Sequence, residues 1–124
     1  MRSVRAVSVL GGLLLLLGAT VGCGGGGGSD AGDQVAQGQK LFRQTCATCH
    51  GMNGEGIERL GKTLIGNEFV ALNSNSALVQ FLVEGRPATH PDNTRGVDMP
   101  PRGGNPSLTD EDLAAIVAFV KTLQ

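Results

Sequence analysis

A chain of 124 residues with a net charge of −1 is long enough for one small domain and too nearly neutral to track a nucleic-acid backbone. Ten basic residues less Arg2 and Arg5 of the N-terminal leader leave eight against eleven acidic ones, a net of −3, with no basic stripe. Four Phe with no Trp and no Tyr make a thin apolar core, and small domains of this kind need a staple.

Arg2 and Arg5 precede an apolar run from Ala6 to Val21, unbroken from Leu13 to Leu17, which reads as an export signal over residues 1–22. An uncleaved anchor is the alternative. However, Gly11, Gly12 and Gly18 interrupt the run, and it sits at or below the roughly 17 to 25 apolar residues that span a bilayer. Ala19-Thr20-Val21-Gly22-Cys23 resembles the bacterial lipoprotein signal, with Thr20 where a leucine is usual. Cys23 is therefore the expected lipidation site, which would also remove an odd thiol from an oxidising compartment. Gly24 to Gly28 with Ser29-Asp30-Ala31-Gly32-Asp33 cannot bury a core, so residues 23–33 read as a flexible tether at a membrane surface.

Residues 34–124 read as an all-α domain. The first helix is expected from about Gln34 to Cys49, capped by Asp33, with Val35, Phe42, Cys46 and Cys49 at helical spacing. Gly38 lies on that side and marks a close approach of another helix, since a mid-helix glycine costs up to about 1 kcal/mol relative to alanine. The stripe runs into Cys46-Ala47-Thr48-Cys49-His50, the C-x-x-C-H attachment signature of a covalent c-type haem. Three residues apart on one helical face, both thiols can add to the two vinyl groups of a haem, and His50 can reach the iron as proximal ligand. A zinc ribbon would need a second ligand pair, and Cys23 is the only other cysteine. A thioredoxin-like pair would want a βαβ pattern, and none is visible.

Gly51 to Gly56 is expected to loop away from the motif, and a further helix is expected over Ser76 to Glu84, where Leu78, Phe81 and Leu82 repeat and Gly85 stops it. The stretch from Gly85 to Pro106 is long, irregular and rich in proline and glycine, which suggests a task such as haem ligation. Met99, followed by Pro100-Pro101, is the expected sixth ligand, with His90 in the same loop as its rival and an open site as the third case. Met52, two residues past His50, cannot reach the opposite face. The last helix carries Thr109 with Asp112 as a capping box and Leu108 with Leu113 as a staple. Its acidic first turn, Lys121 in the last turn, and the stripe Leu113, Ile116, Val117, Val120 complete the signature.

Gly38, Phe42, the Cys46–His50 motif with Gly51, the Met99-Pro100-Pro101 run, and the ending from Leu108 through Phe119 resemble a class I mono-haem bacterial cytochrome c over about residues 34–124. The resemblance implies a small all-α cytochrome c-type fold, with about three main helices and long loops around one covalent haem c. Gly38 and Phe42 of the first helix would cross Phe119 of the last. It also implies ligation by His50 and Met99, and a carbonyl within Leu60 to Gly66, where relatives have a proline, accepting from His50. Relatives anchor a propionate with Trp or Tyr; Arg86, Arg95 or Arg102 are the candidates to do so here.

The implied role is an electron carrier, not an enzyme. Its partners would be membrane oxidase, reductase or dehydrogenase complexes, its setting the periplasm or the outer face of a bacterial membrane, and no nucleic acid or small-molecule substrate is expected. The alternatives are a haem-based small-ligand enzyme or sensor from which Met99 dissociates, and a fixed cytochrome subunit of a larger oxidoreductase.

Overall fold

A computed structural model describes residues 27–124; the leader over 1–22 and Cys23 lie outside the described residues. The elements run α1 (Gly27–Thr45), α2 (Ala47–His50), α3 (Glu68–Leu72), α4 (Asn75–Glu84), a 3₁₀ turn (Pro101–Gly104) and α5 (Asp110–Lys121). Among the described residues there is no strand, only isolated antiparallel bridges between Ile57 and Gly61 and between Arg86 and Met99. No described helix is long and apolar enough to cross a membrane.

The crossing of α1 and α5 is the centre of the fold. Gly38 is buried where the two helices meet, and a Cβ there would collide with the Ala115 carbonyl. Removing the side chain lets the backbones touch, which brings Phe42 and Phe119 into a tilted pair with centroids 5.3 Å apart and planes at 57°. Phe42, Leu113 and Ile116 are the largest fully buried side chains. The expected close approach at Gly38 and its aromatic crossing are both present.

At α5 the sequence signals translate directly. Thr109 accepts from the Asp112 amide while the Asp112 carboxylate accepts from the Thr109 amide, a reciprocal box that satisfies two donors left unpaired at a helix start. Leu108 and Leu113 are both buried, as a staple requires. Helix α4 starts one residue before the expected Ser76, because the Ser74 side chain caps it by accepting from the Ala77 amide.

Two expectations need correction, and one short helix was not foreseen. The first helix begins at Gly27, so residues 27–33 of the expected flexible tether are helical and Asp33 lies inside the helix instead of capping it. Once the packed part of α1 has formed, each added residue gains a hydrogen bond without a new nucleation cost, and Asp30 in the first turn suits the dipole. The helix also does not run unbroken to Cys49: it is interrupted at Cys46, between α1 and α2. The break is slight, because Cys46 keeps right-handed dihedrals (φ −87°, ψ −29°) and its amide still donates to the Phe42 carbonyl at 2.8 Å. Finally, the five-residue α3 gave no periodic signal; the Asn67 side chain starts it by accepting from the Val70 amide.

Candidate functional site

The helix crossing borders an apolar cleft, and the cleft is where the motif residues meet. Its lining includes Cys46, Cys49 and His50 from the α1–α2 junction, Phe69 and Val70 from α3, Leu78 and Phe81 from α4, Met99 from the long loop, and Leu113, Ile116, Val117 and Val120 from α5. Phe42, Val70, Leu78, Leu113 and Ile116 belong both to the buried core and to the wall of the cleft. The core is therefore open on one side, as expected of a fold that closes on a large apolar group.

His50 is oriented from behind. Gly61 is buried against the haem-motif helix, where a Cβ would strike the Cys49 carbonyl, and the Ile57–Gly61 bridge holds it there. The next residue, Lys62, thereby offers its carbonyl to His50 Nδ1 at 2.8 Å. A carbonyl only accepts, so the proton sits on Nδ1 and Nε2 keeps its lone pair for a metal. The carbonyl expected within Leu60 to Gly66 is thus that of Lys62, supplied without a proline because a glycine lets the chain lie flush. The turn after the motif is tied to it as well: the Gly56 amide donates to the His50 carbonyl at 2.6 Å, and Glu55 accepts from the Asn53 amide at 2.8 Å. Hydrogen bonds from backbone amides at Glu55, Asn53 and Met52 hold the Glu55 carboxyl below its ordinary 4.5.

Burial, and secondarily the neighbouring Cys49, push the Cys46 thiol up to about 11. Such a thiol is neutral at physiological pH and suited to an apolar wall.

Met99 is half-buried, and its backbone pairs with Arg86 in both directions: the Arg86 amide donates to the Met99 carbonyl at 2.7 Å and the Met99 amide to the Arg86 carbonyl at 2.8 Å. Gly85 makes room for this, since a Cβ there would collide with the Met99 carbonyl. His90 does not line the cleft; it is exposed, and its Nδ1 accepts from the Asp92 amide at 3.2 Å. Met52 is exposed as well and lies outside the lining.

Of the three arginines, Arg102 is committed elsewhere, donating to the Leu108 carbonyl and to Asp110, both at 2.7 Å. Arg95 is exposed at the rim. Arg86 lays its guanidinium 5.0 Å from the Phe69 ring centroid and 4.7 Å from that of Phe81, which are themselves an edge-on pair. Sequence reasoning missed this cluster, because Phe69 belongs to the short α3 and its neighbours are remote in the chain.

Two thiols, an imidazole and the Met99 thioether in the lining of one mainly apolar cleft fit a covalently attached haem. When bound, that group supplies a one-electron iron couple.

The comparisons agree with this geometry. The family model described as Cytochrome c matches residues 35–124. The chain is 33% identical over 99 residues to a cbb3-type cytochrome c oxidase subunit FixP of Azorhizobium caulinodans, a match covering 77% of this chain and 30% of that protein. No solved structure matches significantly. With the family model covering every residue that lines the cleft, the chain belongs to the cytochrome c family, the electron-transfer proteins that carry covalent haem c.

Proposed function

We propose that this protein carries single electrons through a haem c joined to Cys46 and Cys49, with His50 and Met99 as its axial ligands. The observation that carries the ligand set is the bond from His50 Nδ1 to the Lys62 carbonyl, which leaves Nε2 as the coordinating atom on a cleft that Met99 also lines. Held by His50 and Met99, the iron of that group would offer no site to a substrate and would favour its reduced state. The chain's own work is to exclude water from the apolar cleft and to hold the two axial side chains while charge passes.

The setting is the periplasm or the outer face of a bacterial membrane. Residues 1–22 act as the export signal, Cys23 carries the lipid, and the segment up to α1 is the tether. The FixP likeness supports a partner among terminal oxidases. The match spans only 30% of that protein, but because that protein is an oxidase subunit it supports a second reading too, in which this domain is a fixed subunit beside an oxidase and not a free shuttle.

The test is the optical spectrum of the exported holoprotein. A sulfur-to-iron charge-transfer band should survive His90→Ala and vanish in Met99→Ala; its loss in the His90 variant would overturn the ligand assignment. Mass spectrometry of detergent-extracted protein should find diacylglycerol on Cys23, and an oxidase complex that retains the protein through purification would select the subunit reading over the shuttle.

A further inference from the structure

Asn93 is not in the donor set, yet its amide holds the Met99 loop together at both ends. Its Nδ2 donates to the Val97 carbonyl at 2.8 Å and the Pro87 carbonyl at 3.1 Å, and lies 3.4 Å from the Arg86 carbonyl. Its Oδ1 accepts from the Arg95 amide at 3.1 Å and the Gly96 amide at 3.0 Å. Carbonyls only accept and amides only donate, so the orientation of the Asn93 side chain is determined by its partners, and its hydrogen-bonding capacity is used.

We propose that Asn93 is the positioning residue that keeps Met99 on the haem iron; the inference rests on Met99 being the ligand. One end of the loop is anchored: the Arg86 guanidinium lies on Phe69 and Phe81, and its backbone pairs with Met99. Asn93 ties that end, through Pro87, to Val97, two residues before Met99. The Ala88 amide donating to Asp98 is a second tie across the same gap. Between these ties the loop is mostly exposed and has no helix of its own, so its order depends on them. An aspartate at 93 would keep the turn to Arg95 and Gly96 while setting an anionic oxygen against the Pro87 and Val97 carbonyls. That would release Met99 and leave the α1–α5 crossing untouched.

The experiment is an imidazole titration of the ferric holoprotein, because imidazole competes with Met99 for the iron, with hydrogen exchange at the Arg86 and Met99 amides read in parallel. Asn93→Asp should bind imidazole about tenfold more tightly or better and exchange both amides faster. Asn93→Ser, whose shorter side chain keeps one hydroxyl but cannot span the Pro87 and Val97 carbonyls as the amide does, and adds no charge, should move the same way by less and carries the test if the aspartate variant does not fold. Thr109→Ala, which removes a helix cap on α5, should lower the unfolding temperature with imidazole affinity unchanged. Wild-type imidazole affinity in both Asn93 variants overturns the proposal, as does an affinity that simply follows global stability, Thr109→Ala included. A charge-transfer band that persists in Met99→Ala sinks the ligand reading and this inference together; a band lost there, with no change in the Asn93 variants, sinks this inference alone.

Discussion

At Glu55 a single carboxylate closes the turn behind His50. It accepts from the Asn53 amide and packs against Gly51, where a Cβ would meet the carboxyl group. Its folded-state pKa is lowered, so its contribution is present above the ordinary carboxylate value of 4.5 and is lost as pH falls through the lowered value. The side chain is exposed and the effect accordingly small. Glu55→Gln should therefore flatten the loss of stability below pH 4.5 relative to wild type, read by denaturant unfolding of the holoprotein at stepped pH. An acid limb identical in the two proteins would refute the assignment. Gly61 and Lys62 show the same economy: one missing side chain lets a carbonyl reach His50.

Among the elements, α1 and α5 depend on each other through Gly38. The backbones meet where its side chain would be, so Gly38→Ala cannot act as the helix-favouring change it would be on a free surface. The added methyl must push the crossing apart and disturb the Phe42–Phe119 pair, at an expected loss of about 2 kcal/mol or more. Chemical denaturation of the holoprotein measures it, and a stabilised Gly38→Ala variant would show that the helices do not meet there. The end of α5 secures α3 in turn: Lys121 Nζ donates to the carbonyls of Asn73 at 2.7 Å and Ala71 at 3.3 Å, filling acceptors left open at a helix C-terminus. In sequence Lys121 signals only a favourable charge near the dipole of its own helix; its larger task belongs to a neighbour.

For the whole molecule, the core and the cofactor cleft are one surface. Phe42, Val70, Leu78, Leu108, Leu113, Ile116, Val117 and Val120 are buried and also line the cleft, so much of the apolar interior faces the place a haem takes. A domain with four Phe and neither Trp nor Tyr has little else to close around. Cys46→Ala/Cys49→Ala protein made without haem is therefore expected to lose most of its far-ultraviolet helical signal. A cooperative thermal transition in that variant would show that the polypeptide folds by itself.

Local signals were legible from the chain wherever neighbouring residues create them. The C-x-x-C-H spacing names its chemistry within five residues, and the Thr109–Asp112 box and the stripe of α5 are short-range patterns that an isolated helix would already show. Gly38 announced a close approach because a mid-helix glycine demands a reason. Where the chain had to meet itself at a distance, only the tertiary structure decided: which carbonyl serves His50, that α3 exists and Phe69 sits beneath Arg86, and that Asn93 spans the Met99 loop. Periodicity reports the face a segment buries but not what it is buried against. A carbonyl brought twelve residues back to a histidine leaves no mark in either segment alone.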